Sequence, residues 1–325
     1  MKNFLDYLDS RGISYKFVQT NKYSNIKTGL PDRRRNALHF CASFFWNFWT
    51  AGIIMFNYSN HSTAGVFPLL CRLSKLMGKK VVLRKFGGPF ETAWSELPER
   101  GKARLSDALD KADMILLETK GTIDFFRTFS GNKRIVWFPN VRQRKASPKT
   151  EKQAADYRRR FVFMAHVKKE KGVDELTKCF KQLGKEYAVD IYGQLVDYSA
   201  EDLQCENCRY CGILRPQEVF ETLKNYDCLI LPSYREGYPG IVIEAFSMGV
   251  PSIATSVGGI PEIVEHGQNG FLVPPRDPAA LEQAARDFDR ADHVALSRNA
   301  LQSFKENFDS DTVNRRIAET ILNLC

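Results

Sequence analysis

Two acidic residues, Glu236 and Glu244, stand on either side of a Tyr-Pro-Gly turn. The apolar run at 228–231 just before them predicts a buried parallel strand, and the apolar residues after Gly240 predict a helix. The first N–H groups of a helix have no partner within it, so together with the helix dipole they favour an anion such as phosphate. One carboxylate before the helix and one a turn inside it could therefore bind groups on either side of a diphosphate.

A nucleotide-sugar has this layout, with a sugar on one side of a diphosphate and a ribose on the other. The competing interpretation is a helix that simply begins at Pro-Gly and carries two solvated acids, since motifs this short often occur by chance. The neighbouring sequence favours the first interpretation. Val-Gly-Gly-Ile-Pro at 257–261 and His-Gly-Gln-Asn-Gly-Phe-Leu-Val-Pro at 266–274 follow the predicted helix.

Residues 229–274 as a whole resemble the C-terminal half of glycosyltransferase family 4, whose members are retaining, nucleotide-sugar-dependent enzymes of the GT-B fold. Two upstream segments extend the resemblance. Residues 161–172 are similar to the first strand and basic loop of that half, and 210–214 to its base-binding segment. The N-terminal half resembles the family only in outline. The resemblance implies a glycosyltransferase with its nucleotide-sugar site in the C-terminal half.

Strand and helix patterns alternate along the chain in two series, which predicts doubly wound parallel sheets. We therefore expect an α/β protein of GT-B architecture, with two Rossmann-like doubly wound parallel sheets facing a central cleft. Ligands then bind outside the carboxyl ends of the strands. The expected parts are an acceptor-side domain, a linker, a nucleotide-sugar-binding domain and a last helix that returns to the first domain, at 1–145, 146–160, 161–305 and 306–325.

The resemblance assigns catalytic roles to three residues. Glu236 matches the acid that contacts the donor sugar, and Lys171 matches a lysine that clamps the diphosphate. His166 stands where the family has a second clamping cation, an arginine, and an imidazole is only partly protonated at neutral pH. Lys168 or Lys169 could supply the missing charge, although surface lysines are more often simply solvated. Stabilising the departing diphosphate is the main chemical task.

The resemblance also assigns the donor contacts. Glu244 matches the acid that binds the ribose hydroxyls, backbone groups of 212–214 would hold the base, and Gly193 would allow close approach beside it. The expected donor-binding residues are Glu244, Tyr238, Pro239, Gly240, Ile241, Gly193, Gly212, Ile213 and Leu214. The family pattern implies no cofactor and no metal ion, and a UDP- or GDP-sugar as donor.

The N-terminal half departs from the family at two places. The first strand and glycine-rich loop of family members have no counterpart, because the helical pattern at 4–10 and Gly12 already match the end of the helix that follows them. After the predicted strand at 81–83, Phe86 stands where many relatives have histidine. This strand end either binds an acceptor or a phosphate or is only a basic turn. Its candidate residues are Arg84, Lys85, Gly87 and Gly88.

Positive charge is concentrated in the N-terminal half of the chain. Residues 1–149 carry 26 Lys and Arg against 11 Asp and Glu, whereas the remainder is net acidic and the whole chain has a charge of +9. This distribution predicts an anionic partner for the N-terminal half. No segment resembles a nucleic-acid-binding module, so we expect no nucleic acid and a peripheral contact with an anionic membrane.

An uncharged, aromatic stretch at 37–56 follows three consecutive arginines. Its length would allow a membrane span. His39 and Asn47 interrupt it, however, and Gly52 predicts a break between a helix and a strand at 53–57. Three interpretations stay open, in this order: a helix in the core, an aromatic face lying on the membrane surface, and a membrane span.

The 8 cysteines of this 325-residue chain do not form a disulfide framework, and no signal peptide opens the sequence, so we expect reduced thiols and a cytoplasmic protein. The spacing of Cys205, Cys208 and Cys211 also suits a metal or an iron–sulfur cluster. A fourth ligand at regular spacing is missing, and in a predicted strand at 209–213 residues 208 and 211 would point to opposite faces. We therefore expect reduced structural thiols.

The expected function is transfer of a hexose or related sugar from a nucleoside diphosphate to a polysaccharide or lipid-linked glycan acceptor. The expected place is the inner face of the cell membrane, as a peripheral protein. Two alternatives stay open. The departures at 86 and 166 could mark a non-catalytic nucleotide-sugar-binding protein or scaffold of a glycan assembly complex. A nucleotide-sugar epimerase of similar fold would use the same donor and need no acceptor.

Overall fold

The computed structural model describes residues 2–18, 33–58, 67–86, 90–144 and 157–324. Within these stretches the strands form two all-parallel sheets, with helices in the connections. Parallel neighbours need a crossover connection, and the crossover helices cover both faces of each sheet. This is the α/β architecture that the alternating sequence pattern predicted.

The first sheet has the strand order β1-β2-β3-β4. Its strands are β1 (Ile53–Tyr58), β2 (Lys80–Lys85), β3 (Met114–Leu117) and β4 (Ile135–Trp137). The helices of this part are α1 (Lys2–Ser10), α2 (Arg33–Phe48), α3 (Phe67–Leu76), α4 (Phe90–Ser95), α5 (Glu99–Lys111) and α6 (Lys120–Arg127). The sequence of β3 is Met-Ile-Leu-Leu, and all four residues are buried because both faces of the sheet are covered.

The second sheet has the strand order β10-β9-β8-β5-β6-β7. Its strands are β5 (Arg160–Met164), β6 (Ala188–Tyr192), β7 (Cys208–Tyr210), β8 (Cys228–Leu231), β9 (Ser252–Thr255) and β10 (Gly270–Val273). The helices are α7 (Val173–Gln182), α8 (Val219–Leu223), α9 (Gly240–Ser247), α10 (Pro278–Arg290), α11 (His293–Asn307) and α12 (Ser310–Leu322). The strand order reverses between β5 and β8, and ligands of such sheets bind in the crevice at that point.

The last helix, α12, leaves the second sheet and lies against the first. Its Val313, Ile317 and Ile321 belong to a buried cluster with Val82 of β2 and Phe4 of α1. Burial of these side chains removes apolar surface of both helices and of the sheet from water, which stabilises the contact. The chain therefore connects the two sheets a second time, near its C-terminal end.

The sequence pattern at 15–20, after the Gly12 turn, predicts a strand, and this prediction was wrong for its described part. Residues 13–18 have no regular secondary structure. The segment turns back along α1 instead, and the Tyr15 hydroxyl donates a hydrogen bond to Asp9 Oδ2 at 2.9 Å. The other predicted strands agree with the structure in position, although that predicted at 209–213 ends at Tyr210.

The prediction of reduced thiols in the C-x2-C-x2-C segment was wrong for its first two cysteines, because Cys205 and Cys208 form a disulfide. A tight turn brings them together, with their Cα atoms 4.8 Å apart and their backbones joined by an antiparallel bridge. The strand itself begins at Cys208, one residue before the predicted start. Cys211 lies outside the disulfide and keeps a thiol.

Helix α2 divides the aromatic stretch into a buried and an exposed side. Phe44 and Phe48 pack in the core of the first sheet, whereas Phe45, Trp46 and Trp49 are 54%, 84% and 66% exposed. In the described parts of the chain, no helix combines the length and the apolar character that crossing a bilayer requires. The burial of Phe44 and Phe48 agrees with the interpretation as a helix in the core, and the exposed side of the stretch is aromatic.

Candidate functional site

A cleft of about 730 Å³ lies between the two sheets. Its walls are loops that follow the carboxyl ends of β2, β3, β5, β8 and β9, where ligands of doubly wound sheets bind. The charged and hydroxyl-bearing residues that line it are Lys85, Glu91, Glu118, Thr119, Thr122, Lys168, Glu170, Lys171, Tyr234, Arg235, Glu236 and Glu262. Cations and acids are thus mixed along one concave surface, as a ligand with both phosphate and hydroxyl groups requires.

Lys171 and Glu236 meet at the centre of the cleft wall formed by the second sheet. Lys171 Nζ lies 2.5 Å from Glu236 Oε1, and the Ser233 hydroxyl donates to the same oxygen at 2.7 Å. The two charged side chains are only 19% and 10% exposed. A partly buried pair of this kind is a stronger interaction than a solvated surface pair. Glu236, which the resemblance assigned to the donor sugar, therefore contacts Lys171, which it assigned to the diphosphate.

The loop after β5 positions Lys171 through its last residue, Gly172. Lys169–Lys171 form a single turn of 3₁₀-helix, and Gly172 has φ = +72°. A Cβ at this glycine would lie 1.9 Å from the carbonyl oxygen of Pro232, at the start of the loop that carries Glu236. Only glycine permits both the left-handed conformation and this close approach. The two loops are therefore locked together beside the ion pair.

The turn at 257–259 supports the Glu236 loop from the other side. Gly259 N–H donates to Gly237 O at 2.7 Å. A Cβ at Gly258, which has φ = +56°, would lie 2.0 Å from the carbonyl oxygen of Glu236. Both glycines of this turn belong to the lining of the cleft.

Four of the predicted donor-binding residues form the start of α9. Pro239 precedes the first helical residue, Gly240, and Ile241 follows it. Tyr238 is buried, its ring centroid lies 6.2 Å from that of Phe308, and burial raises the pKa of its hydroxyl. The Tyr238 side chain is thus a packing group, and what this turn offers to a ligand is the backbone of α9.

Glu244, the second predicted donor acid, is bound by a residue of the segment that follows β4. Arg142 Nε lies 2.7 Å from Glu244 Oε1, and the two side chains are 29% and 20% exposed. Asn140 joins the same group, because Arg142 Nη1 donates to Asn140 Oδ1 at 2.7 Å. Glu244 lies beside the crossing between the two sheets, and among the described residues it is not part of the lining of the main cleft.

The expected base-binding segment lies against the loop after β6. Gly193 N–H donates to Gly212 O at 2.9 Å, and a Cβ at Gly193 would lie 1.7 Å from Ala165 O. Ile213 is 68% exposed, and Leu214 is half-buried. The structure therefore brings Gly193 and Gly212 together and leaves the backbone after them open to solvent.

The end of β2 contributes Lys85 to the first-sheet wall of the cleft. Lys85 is 3% exposed, and burial lowers the pKa of its ammonium group to about 8, against the opposing effect of Glu118 and Glu91. Arg84 points to the other face of the sheet, where its guanidinium lies 4.5 Å from the ring centroid of Phe138. Of the other two residues predicted here, Gly87 and Gly88 lie outside the described residues.

A carboxylate of the second sheet's loops binds the start of a helix of the first. Glu262 Oε2 accepts a hydrogen bond from Lys120 N–H at 2.7 Å, and Oε1 accepts one from Gly121 N–H at 3.0 Å. These are the first two residues of α6, whose N–H groups have no partner in the helix. The negative charge also suits the positive end of the helix dipole. Glu262 therefore joins the two walls of the cleft.

His166, the third predicted catalytic residue, forms no part of the described lining of the cleft. Its side chain is exposed. Of the alternative cations, Lys168 lines the cleft and forms an ion pair with Glu170 at 2.8 Å. Lys169 is exposed, with its backbone N–H bound to Asp197 Oδ2.

Sequence reasoning missed several residues of this region, among them Arg142, Arg235 and Glu262. Arg235 lines the cleft directly before Glu236, and its position beside the motif could have singled it out. Arg142 and Glu262 act through contacts with residues 102 and more than 140 positions away. No local pattern in the sequence indicates such pairs.

A comparison with protein-family models matches residues 158–288 to the family described as "Glycosyl transferases group 1". A putative colanic acid biosynthesis glycosyltransferase of Salmonella typhimurium is 34% identical over 119 residues, which cover 34% of this chain and 29% of that protein. A glycogen synthase of Mycobacterium tuberculosis is 28% identical over 172 residues, 50% of this chain and 42% of the relative. The matched region thus spans less than half the length of these curated relatives.

The fold as a whole is similar to solved structures over nearly the full chain. A complex of Anabaena HepE with UDP aligns with a TM-score of 0.68 at 16% identity, covering 98% of this chain and 89% of that one. A lipopolysaccharide outer core galactosyltransferase aligns with a TM-score of 0.64 at 18% identity, covering 97% and 86%. At this identity the likeness concerns the fold alone.

These findings place the chain among the GT-B proteins, with two parallel sheets around a cleft. Within the chain, residues 158–288 match the group 1 glycosyl transferases, the family to which the motif at 229–274 pointed. The resemblance read from the motif at 229–274 is thereby confirmed for family and for fold.

Proposed function

We propose that this protein is a retaining glycosyltransferase that moves a sugar from a nucleoside-diphosphate sugar to a polysaccharide or lipid-linked glycan acceptor. The observation that carries the proposal is the Lys171–Glu236 pair at 2.5 Å, held in a cleft at the carboxyl ends of the strands. A cation and an acid at this place match the two halves of a donor, the diphosphate and the sugar.

In the proposed mechanism Lys171 and the start of α9 hold the diphosphate, and Glu236 binds hydroxyl groups of the donor sugar. The N–H groups at the start of α9 and the Lys171 ammonium stabilise the negative charge that develops on the diphosphate as its bond to the sugar breaks. Stabilising charge that develops in the transition state is usually the largest contribution of such groups to the rate. Holding the donor also fixes the position of the reacting carbon, which is one half of the orientation that the transfer needs. The leaving diphosphate can accept the acceptor proton, so no separate base is assigned.

The proposed donor is a UDP- or GDP-sugar, and UDP is the first choice to test. Support comes from the fold neighbour HepE, which has been solved with UDP and with UDP-glucose. The backbone after Gly212 is the proposed contact of the base. The proposed acceptor class rests on relatives, which include an amylovoran biosynthesis glycosyltransferase of Erwinia amylovora at 28% identity.

The same proposal includes a position at the cytoplasmic face of a membrane, held by exposed aromatic residues of α2 and of the turn that follows it. Trp46 and Trp49 suit a bilayer interface, and the basic first half of the chain suits anionic lipid. We expect wild type to sediment with vesicles that contain phosphatidylglycerol, and W46S/W49S to stay in the supernatant. Val196→Ser, which removes an exposed apolar side chain of the second sheet's part, is the control. Equal sedimentation of all three proteins would contradict the membrane contact.

The enzymatic proposal is tested by incubating the purified protein with a panel of UDP- and GDP-sugars and candidate glycan acceptors. Wild type should release nucleoside diphosphate from at least one donor, and Glu236→Ala should lower this rate by a factor of at least about 100. Glu221→Ala removes a carboxylate that pairs with Lys224 on the surface, and it should keep the wild-type rate. Unchanged release by Glu236→Ala would contradict the assignment.

A second candidate function is non-catalytic binding of a nucleotide-sugar within a glycan assembly complex. The exposed position of His166, where the family has a clamping arginine, favours this candidate. It predicts donor binding in calorimetry without release of nucleoside diphosphate for any donor and acceptor in the panel. Any turnover that requires Glu236 would rule it out.

A further inference from the structure

Arg142 sits where the segment after β4 meets the start of α9. Its Nε donates to Glu244 Oε1 at 2.7 Å, and its Nη1 donates to Asn140 Oδ1 at 2.7 Å and to Val141 O at 3.1 Å. Asn140 in turn donates through Nδ2 to Tyr238 O at 3.3 Å. One short segment therefore holds both the turn that precedes α9 and a side chain one turn inside it.

The backbone of Arg142 is fixed independently of its side chain. Its N–H donates to Phe308 O at 3.0 Å, and its carbonyl accepts from Ser310 N–H at 3.1 Å. These bonds join the two connections between the sheets, because residues 308–310 lead from α11 into α12. The guanidinium is thus held by a backbone that cannot move without opening the junction of the two halves.

Gly240 makes room for the guanidinium at the first position of α9. A Cβ there would lie 1.7 Å from Arg142 Nη2. Since real contacts to a Cβ are about twice as long, any other residue would push the guanidinium away. The glycine of the motif is therefore needed by Arg142, in addition to any contact that it makes with a ligand.

The contact leaves part of Glu244 available. Arg142 binds Oε1 only, and none of the described residues donates a hydrogen bond to Oε2. A charge-assisted hydrogen bond to one oxygen fixes the plane of the carboxylate and so the direction in which the second oxygen points. This is the geometry of an acid that is held on one side and accepts a ligand hydroxyl on the other.

We infer that Arg142 is a positioning residue of the donor site, which aims Glu244 at the ribose hydroxyls of the nucleotide. The inference rests on the proposed function, which assigns Glu244 to the ribose. Arg142 itself touches no reacting atom in this account. Its effect on donor binding acts through the ribose hydroxyls alone. Because the Arg142 backbone is part of the junction between the two sheets, donor recognition also depends on that junction.

The test compares, by calorimetry, the affinities for UDP and for 2′,3′-dideoxy-UDP, or for the GDP pair if only GDP binds. Wild type should prefer the nucleotide with hydroxyls by about tenfold, since a hydrogen bond to a charged group has about that effect. Arg142→Gln should reduce the preference to less than about threefold while its affinity for the dideoxy nucleotide stays near wild type. R142Q/E244Q should show no further loss.

Arg144→Gln is the matched control, because it removes the same charge two residues away from an exposed position. It should keep the wild-type preference, and Arg142→Lys, which retains the charge without the fork of donors, should fall between wild type and Arg142→Gln. A thermal unfolding curve for each variant checks that it folds.

Three results would overturn the inference. Arg142→Gln could keep the full preference, or it could lose affinity for both nucleotides by the same factor, which would indicate a phosphate contact or a purely structural role. Wild type could also bind both nucleotides equally, which would remove the ribose role of Glu244. Failure of wild type to bind either nucleotide would instead contradict the proposed function, and the inference with it.

Discussion

Two lysines of the cleft differ in their surroundings. Lys171 has a carboxylate partner at 2.5 Å, so its charge is matched before any ligand arrives. Lys85 is almost fully buried at the end of β2 beside the Phe90 ring, and its pKa is lowered to about 8 by loss of hydration. In the proposed mechanism, Lys171 exchanges its carboxylate partner for a phosphate oxygen when the donor binds. The charged form of Lys85 lowers the free energy of unfolding, because the folded protein removes the ammonium group from water.

The buried position of Lys85 gives a pH dependence of stability with a definite sign. The folded protein releases this proton near pH 8, whereas the ordinary lysine value is 10.5. Between these values the unfolded chain binds more protons, so the contribution of Lys85 to stability rises with pH. Replacing Lys85 by Met should therefore stabilise the protein, relative to wild type, by about 2 kcal/mol more at pH 7 than at pH 9.5.

Urea unfolding of wild type and Lys85→Met at the two pH values measures this difference. Lys80→Met, which removes a 44% exposed lysine at the other end of β2, is the control for loss of a lysine from this strand. An equal effect of Lys85→Met at pH 7 and pH 9.5 would show that burial does not disfavour the charged form.

At the scale of elements, close contacts between loops decide the shape of the site. The loop after β5 passes the loop after β8 at Gly172, and the turn after β9 passes it at Gly258. In both cases the missing side chain allows one backbone to touch another. The Glu236 loop is therefore held from two sides by backbone contacts that need glycine.

Gly172→Ala tests this arrangement. The left-handed conformation and the contact with Pro232 O at 1.9 Å from the added Cβ both oppose the substitution, so we expect a loss of about 2 kcal/mol or more in unfolding free energy. Gly52→Ala is the control, because nothing lies within 4 Å of its added Cβ. Chemical unfolding curves that coincide for Gly172→Ala and wild type would contradict the account.

Much at this scale was predictable from sequence. Apolar runs such as 228–231 form strands because their burial pattern is local, and the motif at 236–244 indicated the family that the comparison found. The disulfide and the Arg142–Glu244 contact were not predictable. Each depends on which groups the tertiary structure brings together, and the tight turn at 205–208 follows from no periodicity.

At the scale of the whole molecule, three contacts between described residues join the two sheets around the cleft, in addition to the Arg142–Glu244 and Asn140–Tyr238 contacts. Helix α12 lies against the first sheet, Arg142 pairs with the segment before α12, and Glu262 binds the start of α6. The first two are backbone and core contacts, whereas the third is a single side chain. Glu262 is therefore the contact that a point substitution can remove without disturbing the core.

Glu262→Ala should leave both sheets folded and expose the first N–H groups of α6. Loss of two hydrogen bonds to a carboxylate should speed amide exchange at Lys120 and Gly121 by about tenfold. Hydrogen exchange followed by mass spectrometry of a peptide that covers these residues measures the change. Glu265→Ala removes an exposed acid of the same region and should leave the exchange rate as in wild type. A wild-type exchange rate in Glu262→Ala would show that this contact does not hold the cleft walls together.

The central claim is that a nucleoside diphosphate binds between Lys171 and the start of α9, and a crystal structure of the protein with UDP tests it most directly. The account predicts a phosphate oxygen about 3 Å from Lys171 Nζ, the ribose hydroxyls at Glu244 and the base beside Gly212. A nucleotide bound elsewhere, with the Lys171–Glu236 pair undisturbed, would contradict it.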